Sequence, residues 1–270
     1  MSMELSPRRS VLAPVGDYAT QVWAVSAAEV TKLRHDPIEL ISRAVQPVLW
    51  LLLFGQVMAH VRGLSVGAGS YLDFLAPGIL AQSVLFVAIF YGLSAIWERD
   101  LGVLHRYMVS PAPRSALVIG KALASSVRGL SQAIVIYLCA ALMGVGLSFR
   151  PERIALVVVF IVMASALFST FSLIIACIVK TRERFMGVGQ FLTMPIFFAS
   201  NAIYPISLMP TWLRAIARAN PLSYEVDGLR TLMLSSGQSQ FGLAFDLAAL
   251  ALGLCLCVVV ATRMYPRLTQ

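Results

Sequence analysis

Charged residues are scarce in this sequence, and their scarcity argues against an ordinary soluble domain. Of the 270 residues, 13% are charged and 59% are hydrophobic, whereas a soluble globular domain carries about 25% charged residues. So many apolar side chains cannot all be buried in one water-soluble core, and lipid is therefore the expected solvent for much of the surface. The net charge is +8, but the basic residues fall between apolar runs. That distribution suits anionic membrane lipids as partners and not nucleic acid.

Several kinds of binding or catalytic site have no counterpart in the sequence. The single Gly-Lys pair, Gly120-Lys121, lacks the other residues of a phosphate-binding loop, so ATP and magnesium would have to be bound by a separate subunit. No cofactor or metal is expected in this chain, because its histidines and cysteines form no ligand-like cluster. Residues 1–10 are not followed directly by the apolar stretch of a cleavable signal peptide, so the N-terminus is expected to stay in the cytoplasm.

Six apolar runs approach or exceed the roughly 20 helical residues that a bilayer core of about 30 Å requires. The predicted spans are Ala44–Val61, Phe74–Trp97, Gly129–Phe149, Ile154–Val179, Phe185–Tyr204 and Leu243–Thr262. The segments predicted to be cytoplasmic carry more lysine and arginine than the others, which places both termini inside. The prediction is a single all-α membrane domain over residues 1–270, with a cytoplasmic segment at 1–37 and a six-helix bundle at 38–267.

Three further segments are predicted to be helical without spanning the membrane. Asp17–Asp36 fits an amphipathic helix on the inner membrane surface, with an ordinary solvated helix as the alternative. Glu98–Arg114 fits a short cytoplasmic helix that ends at a proline-containing elbow. Pro205–Gln240 fits two short helices separated at Asn220-Pro221, which either dip into the outer leaflet or cap the bundle; an outer soluble loop is the alternative.

Polar residues inside the predicted spans are mainly amides and hydroxyls. Leu243–Thr262 carries Asp246 near its start, whereas the charge-free spans lack the acidic residues that a proton relay usually needs. These amides are as consistent with helix-to-helix hydrogen bonds as with substrate contact. Arg128 lies near the inner end of the predicted third span. The favoured interpretation is that its side chain reaches toward the inner membrane surface, and the alternative is a buried functional charge.

Two motifs resemble those of type-2 ABC transporter permeases. The first runs through Trp97-Glu98-Arg99-Asp100-Leu101-Gly102, Ser110-Pro111-Ala112-Pro113-Arg114 and Gly120-Lys121, and it is similar to the family's cytoplasmic loop. The second begins at Pro195 and includes Ser200-Asn201-Ala202-Ile203-Tyr204-Pro205, Met209-Pro210-Thr211-Trp212-Leu213 and the stretch from Asn220 to Arg230. The resemblance extends from Asp17 to Arg267 and is greatest to the daunorubicin-resistance and nodulation-factor export branch. Val103 and Asn201 depart from residues that are common in the family.

The resemblance implies an exporter in the cytoplasmic membrane, built from two ATPase subunits and two permease chains that are identical or related. It implies an interface helix at Asp17–Asp36, a coupling helix at Glu98–Ser110 and two short outer re-entrant helices. Implied ATPase-coupling residues are Glu98, Arg99, Asp100, Gly102, Leu104, Arg106, Ser110, Pro111 and Arg114. A substrate path is assigned to Gln56, Gln82, Met194, Phe197, Phe198 and Asn201. An outer gate is assigned to Tyr204, Pro205, Trp212, Asn220, Pro221, Tyr224 and Arg230.

The sparse polar groups of the assigned path favour an amphipathic cargo, such as a drug, antibiotic, lipid or glycolipid. The alternative is a long polysaccharide, which would need a wider channel. Two rival functions also remain. One is an ion-coupled secondary carrier or channel that acts without an ATPase. The other is a membrane enzyme acting on lipid, with Glu98, Asp100 and His105 as its candidate groups.

Overall fold

The computed structural model describes residues 18–24, 26–27, 31, 37–59, 70–102, 113–179 and 181–269. Over these residues the backbone is predominantly helical, and an isolated antiparallel bridge joins Leu147 to Leu234. Four predicted coupling residues lie outside the described residues: Leu104, Arg106, Ser110 and Pro111.

The described residues form a series of helices. In chain order they are α1 (Pro37–Leu49), a π-helical turn (Trp50–Phe54), α2 (Gly55–Ala59), α3 (Tyr71–Tyr91), α4 (Leu93–Asp100), α5 (Arg114–Leu142), α6 (Pro151–Ile178), α7 (Arg182–Phe198), α8 (Thr211–Ala219), α9 (Pro221–Met233) and α10 (Leu243–Met264). Short 3₁₀ turns lie at Ile206–Leu208 and Tyr265–Thr269. The two short helices predicted between Pro205 and Gln240 are thus observed as α8 and α9, and they are separated at Asn220 as expected.

Length and composition support four candidate membrane spans in the described part of the chain. These are Tyr71–Asp100, Arg114–Leu142, Pro151–Ile178 and Leu243–Met264. The other two predicted spans correspond to shorter helical pieces. The first is divided by the π-helical turn between α1 and α2, and the fifth is α7, which has 17 residues.

The predicted third span, Gly129–Phe149, has the wrong boundaries. The helix begins at Arg114 and ends at Leu142. It starts earlier than predicted because Lys121, expected in a cytoplasmic connection, and Arg128, expected near the inner membrane surface, both lie inside the bundle. Lys121 is 5% exposed and Arg128 is 8% exposed. The guanidinium carbon of Arg128 lies 4.9 Å from the centre of the Tyr91 ring. Arg128 therefore packs within the chain, and the interpretation that it extends toward the membrane surface is wrong.

α3 forms the centre of the bundle. Most of its side chains are buried against α5, α6 and α9. Its first turn is fixed by a capping box, in which the Ser70 side chain accepts from the Asp73 backbone N–H and the Asp73 carboxylate accepts from that of Ser70. A Cβ atom added to Gly78 would lie 2.3 Å from the carbonyl oxygen of Ala202. Glycine at this position therefore allows the segment after α7 to approach α3 closely.

Candidate coupling and translocation site

A buried ion pair joins α4 to α5. The ammonium nitrogen of Lys121 donates to a carboxylate oxygen of Glu98 at 2.6 Å. The side chains of Lys121 and Glu98 are only 6% and 7% exposed, respectively. The predicted coupling residue Glu98 therefore directs its carboxylate into the bundle, where it fixes α4 against α5.

A second set of charges lies beside this pair and reaches α7. One carboxylate oxygen of Asp100 is 3.0 Å from an Arg99 nitrogen, and the other is 2.8 Å from an Arg182 nitrogen. The guanidinium carbon of Arg182 also lies 3.7 Å from the centre of the Trp97 ring, within cation–π distance. We call Trp97, Glu98, Arg99, Asp100, Lys121 and Arg182 the inner charge cluster. Through it, α4 contacts both α5 and α7.

The N-terminal helix attaches to the same part of α5. Residues 18–24 are helical, as predicted, although much of the predicted segment 17–36 lies outside the described residues. The Ser26 hydroxyl donates to the backbone carbonyl oxygen of Gly120 at 3.1 Å. Val22 is 9% exposed, whereas Trp23 is 73% exposed. This helix therefore has one side against the chain and another free for lipid or a partner.

Two other predicted coupling residues lie at the ends of helices. Gly102 follows α4 with a φ of +71°, and its N–H donates to the Arg99 carbonyl oxygen at 3.0 Å. A left-handed glycine at this position ends a helix without strain. Arg114 begins α5 and is exposed. Both residues flank the connection between α4 and α5.

At the other end of α7, one side chain caps two helices. The Asn220 side-chain nitrogen donates to the carbonyl oxygens of Ile196 at 2.6 Å and Ala199 at 2.9 Å. Its side-chain oxygen accepts from the Leu222 N–H at 3.0 Å. Asn220 therefore satisfies carbonyls at the C-terminus of α7 and an N–H at the N-terminus of α9, which otherwise have no helical partner.

Arg230 holds the turn after α7 against α3. It is 7% exposed, and one of its terminal nitrogens donates to the carbonyl oxygens of Asn201 at 2.8 Å and Phe74 at 3.3 Å. Its guanidinium carbon lies 3.8 Å from the centre of the Phe74 ring. The Tyr71 hydroxyl adds a bond to the Ile203 carbonyl oxygen at 3.1 Å. Arg230 and Asn220, both assigned to the outer gate, thus hold the turn in place from two sides.

An open groove of about 620 Å³ lies between the end of α7, α8 and the start of α9. Its walls include five predicted residues: Phe198, Tyr204, Trp212, Asn220 and Pro221. Phe198 and Trp212 are 42% and 67% exposed. Tyr224 lies nearby, where its ring contacts Phe241 and Phe245 and its hydroxyl donates to the Arg218 carbonyl. Most of the gate residues are therefore neighbours, and the groove they line is chiefly apolar.

The six residues assigned to the substrate path differ widely in how exposed their side chains are. Phe197 is 1% exposed and packs edge-on against Trp50, with ring centres 6.5 Å apart. Asn201 is fully buried, Gln82 is 2% exposed and Met194 is half-buried. Phe198 and Gln56 are exposed. Within one chain, therefore, the six residues do not form a single surface.

Sequence reasoning missed the buried carboxylates of α9 and α10. Asp227 accepts from the Ser239 hydroxyl at 2.8 Å and from the backbone N–H groups of Gln240 and Phe241 at 2.9 and 3.1 Å. It therefore ties the loop after α9 to that helix, beside the fully buried Asp246. Glu225 is also fully buried, and neither of its carboxylate oxygens has a hydrogen-bond partner among the described residues. The available signal was the spacing of Glu225 and Asp227, two positions apart beside the apolar Val226 and Leu229.

The sequence is similar to proteins of one transporter family. The family profile described as ABC-2 type transporter matches residues 20–234. The ycf38 protein of Cyanophora paradoxa is 31% identical over 221 residues, which cover 79% of this chain and 76% of that protein. The daunorubicin resistance ABC transporter permease protein DrrB1 of Streptomyces coeruleorubidus is 27% identical over 218 residues, covering 79% and 74%. The inner membrane transport permease YadH of Escherichia coli K12 is 24% identical over 202 residues, covering 70% and 75%.

Proposed function

Because this chain belongs to the ABC-2 type transporter family, we propose that it is the membrane-spanning permease of an ATP-driven exporter in the cytoplasmic membrane. Its cargo is an amphipathic molecule, of the class that includes drugs, antibiotics, lipids and glycolipids. Separate ATPase subunits bind ATP and magnesium and supply the energy. The complete exporter contains two ATPase subunits and a second permease chain, identical or related to this one.

The proposed topology has six spans and both termini in the cytoplasm. In it, α1 and α2 together form the first span and α7 forms the fifth. The four candidate spans are the second, third, fourth and sixth. With this arrangement the inner charge cluster lies at the cytoplasmic side, and α8 and α9 lie in the outer leaflet between the fifth and sixth spans. Arg182 and Arg184 then fall on the cytoplasmic side, which agrees with the inward preference of basic residues.

The observation that carries the proposal is the inner charge cluster. Glu98, buried against Lys121, connects α4 to α5, and Asp100, bound to Arg182, connects α4 to α7. A displacement of the segment after α4 by an ATPase is therefore transmitted to two helices through ion pairs. The Ser26–Gly120 hydrogen bond gives the N-terminal helix its own contact with α5. The exposed Trp23 and Leu101 supply apolar surface for an ATPase or for lipid.

The exit side of the proposed path is formed by the groove between α7, α8 and α9. Its size of about 620 Å³ lies within the range of about 300–1,000 Å³ that is typical of drug-sized ligands. Aromatic walls with few polar groups suit the apolar part of an amphipathic cargo. Substituting Trp212 by Ala should therefore weaken the stimulation of ATP hydrolysis by an apolar cargo without preventing assembly.

The first experiment is co-purification of this chain with the ATPase encoded beside it, followed by ATPase assays with candidate amphipathic compounds. A complex with two copies of each chain, in which cargo stimulates hydrolysis, supports the proposal for identical permeases. A second, related permease in the complex identifies the mixed form. A chain that purifies without any ATPase, under conditions where a known exporter complex survives, contradicts it.

One observation favours the alternative of an ion-coupled carrier. Glu225 is fully buried and lacks a hydrogen-bond partner among the described residues, and a buried carboxylate of this kind is a candidate proton-binding group. The alternative requires that the chain alone in liposomes transports cargo in response to a proton gradient and that Glu225→Gln abolishes this transport. ATP-dependent transport that survives Glu225→Gln assigns the residue to packing and supports the exporter.

A further inference from the structure

Two buried carboxyl groups meet where the loop after α9 leads into α10. Asp227 of α9 and Asp246 of α10 are both fully buried, and their carboxyl groups are in hydrogen-bonding contact with each other. The Ser239 hydroxyl is near both, 2.8 Å from Oδ2 of Asp227 and 3.5 Å from Oδ2 of Asp246. Two carboxylates enclosed together repel each other strongly when both are ionised. The contact therefore requires a positively charged species between them, and a proton is the smallest.

The hydrogen-bond donors around this pair are divided unequally between its two members. Asp227 accepts from three groups of the loop, namely the Ser239 hydroxyl and the backbone N–H groups of Gln240 and Phe241. It also interacts with the guanidinium group of Arg230, three residues further along α9. No donor of the described residues reaches Oδ1 of Asp246, and its 3.5 Å separation from Ser239 is longer than an ordinary O–H···O bond. A buried carboxylate stays ionised only with such support, so the charge belongs to Asp227.

The helices packed against α10 supply no cation to Asp246. These helices are α5, α6 and α9. The last third of α5 has no charged residue, and Arg153, in the first turn of α6, donates to the Leu234 carbonyl oxygen at 2.7 Å. On α9, Glu225 lies two positions before Asp227, about 200° away around the helix axis. Among the described residues, therefore, the charged group that interacts with Asp246 is Asp227.

We propose that Asp246 and Asp227 bind one proton between them, and that this proton fastens the loop at residues 234–242 to α9. The proton lies on Asp246, which donates to Asp227, and the negative charge lies on Asp227, which accepts from the loop. Loss of the proton places two negative charges in contact and releases the loop. Binding of the proton does not depend on an ATPase, and only the assignment of the site to the outer side rests on the proposed topology.

The loop connects the proton site both to the medium and to the groove between α7, α8 and α9. Ser239 is half-buried and Gln240 is exposed, so a proton exchanges with the medium through this loop. The Phe241 N–H donates to Asp227, and the Phe241 ring packs against that of Tyr224, with centres 5.2 Å apart. Release of the loop therefore also loosens an aromatic contact near the groove. In the proposed topology, the acidity of the outer medium sets the state of this loop.

Infrared spectroscopy of the purified full-length chain, with carbon-13 at the aspartate carboxyl groups, tests for the proton directly. A protonated carboxylic acid has a carbonyl band that a carboxylate lacks. The label shifts only the bands of aspartic acid, which separates Asp246 from the buried Glu225. We expect one shifted acid band at neutral pH, and Asp246→Asn should remove it. Glu152→Gln, which changes an exposed carboxylate of α6, should leave it in place. Absence of an aspartic acid band overturns the proposal.

Hydrogen exchange of the loop separates the roles of the two carboxyl groups. Asp246→Asn keeps a donor for Asp227 and should leave the exchange of the Gln240 and Phe241 amides within about twofold of the unsubstituted rate. Asp227→Asn removes the charged acceptor and should speed their exchange about tenfold. Equal acceleration by the two changes contradicts a proton on Asp246. If Asp246→Asn does not fold, the labelled acid band of the unsubstituted chain and its loss on raising the pH decide the question.

Two changes of medium distinguish a proton from a bound metal cation. Raising the pH until the aspartic acid band disappears should speed exchange of the two loop amides beyond its intrinsic pH dependence, whereas Asp246→Asn should show only the intrinsic dependence. Replacing sodium by N-methylglucamine should change neither the band nor the exchange. Sodium-dependent exchange in a chain without the acid band assigns a metal cation to the pair and overturns the proposal. These measurements need no ATPase, so their failure leaves the exporter proposal intact.

Discussion

The ammonium nitrogen of Lys121 lies 2.6 Å from a carboxylate oxygen of Glu98, and both side chains are almost completely removed from solvent. The two residues are separated by the connection between α4 and α5, yet they fix these helices to each other at one point. A buried pair of this kind is sensitive to the loss of either member, because the remaining charge loses a close ionic hydrogen-bond partner inside the bundle.

Single substitutions of the pair should therefore be more harmful than the double substitution. Lys121→Met or Glu98→Met leaves one buried charge and should destabilise the protein by about 3–5 kcal/mol, whereas replacing both by Met should restore most of the loss. The measurement is the thermal midpoint of the purified protein in one detergent. In the doubly substituted protein, ATP hydrolysis should no longer drive export. Normal export by this variant would mean that the ion pair takes no part in coupling.

The bond between Asp100 and Arg182 should affect coupling more than stability. Both side chains are about one-third exposed, and exposed ion pairs contribute little to stability. Asp100→Asn should leave assembly and the thermal midpoint unchanged while it lowers the amount of cargo exported per ATP hydrolysed. Glu183→Gln, an exposed change next to Arg182, is the control. A fall in the thermal midpoint with export per ATP intact would assign Asp100 a purely structural role.

Two glycines provide a matched test of the packing between α3 and the turn after α7. Gly78→Ala places a methyl group 2.3 Å from the Ala202 backbone oxygen and should destabilise the protein by about 1–3 kcal/mol. Gly187→Ala, in α7, meets no atom within 4 Å and should stabilise its helix by up to about 1 kcal/mol. Thermal unfolding of the two variants should therefore move in opposite directions. A neutral Gly78→Ala would mean that the turn lies farther from α3.

Substitutions of Asn220 should separate its donor contacts to the end of α7 from its acceptor contact at the start of α9. Asn220→Asp keeps the oxygen that accepts from Leu222 but loses both donors to the carbonyls at the end of α7. Asn220→Ala loses both functions and should cost about 1–3 kcal/mol. The cargo-stimulated ATPase activity of Asn220→Asp should fall although the cap of α9 persists. If Asn220→Asp behaves as the unsubstituted protein, the contacts to Ile196 and Ala199 contribute nothing to function.

Local patterns predicted most of the helices. Pro221 and the capping residue Asn220 marked the boundary between α8 and α9 correctly, because caps and prolines act on their own neighbours. The start of α5 was predicted incorrectly for the opposite reason. Lys121 and Arg128 appear in the sequence as surface charges, but inside the bundle they contact Glu98 of α4 and Tyr91 of α3, which lie far from them along the chain. Periodicity within one helix contains no information about such partners.

The sequence identified several residues of the candidate site, but it did not indicate how they are arranged in space. The motif containing Glu98, Asp100 and Gly102 was identified from the sequence, but the partner of Asp100 lies 82 positions away at Arg182. Nothing local to either residue indicates that they meet. Glu225 was overlooked although Asp227 lies two positions away, because the apolar positions around them indicate a buried helix and do not show which carboxylate is enclosed without a donor.

Gly120 and Lys121 are consecutive residues that receive contacts from two separate elements, the N-terminal helix through Ser26 and α4 through Glu98. Consecutive helical residues differ by about 1.5 Å in height and about 100° in direction. The two attachments therefore share nearly the same level on α5 but act on different sides of its axis. Pulls in the same direction translate α5, whereas opposed pulls apply a torque that rotates it about its own axis. The mechanical response of α5 thus depends on the relative direction of the two inputs as well as on their size.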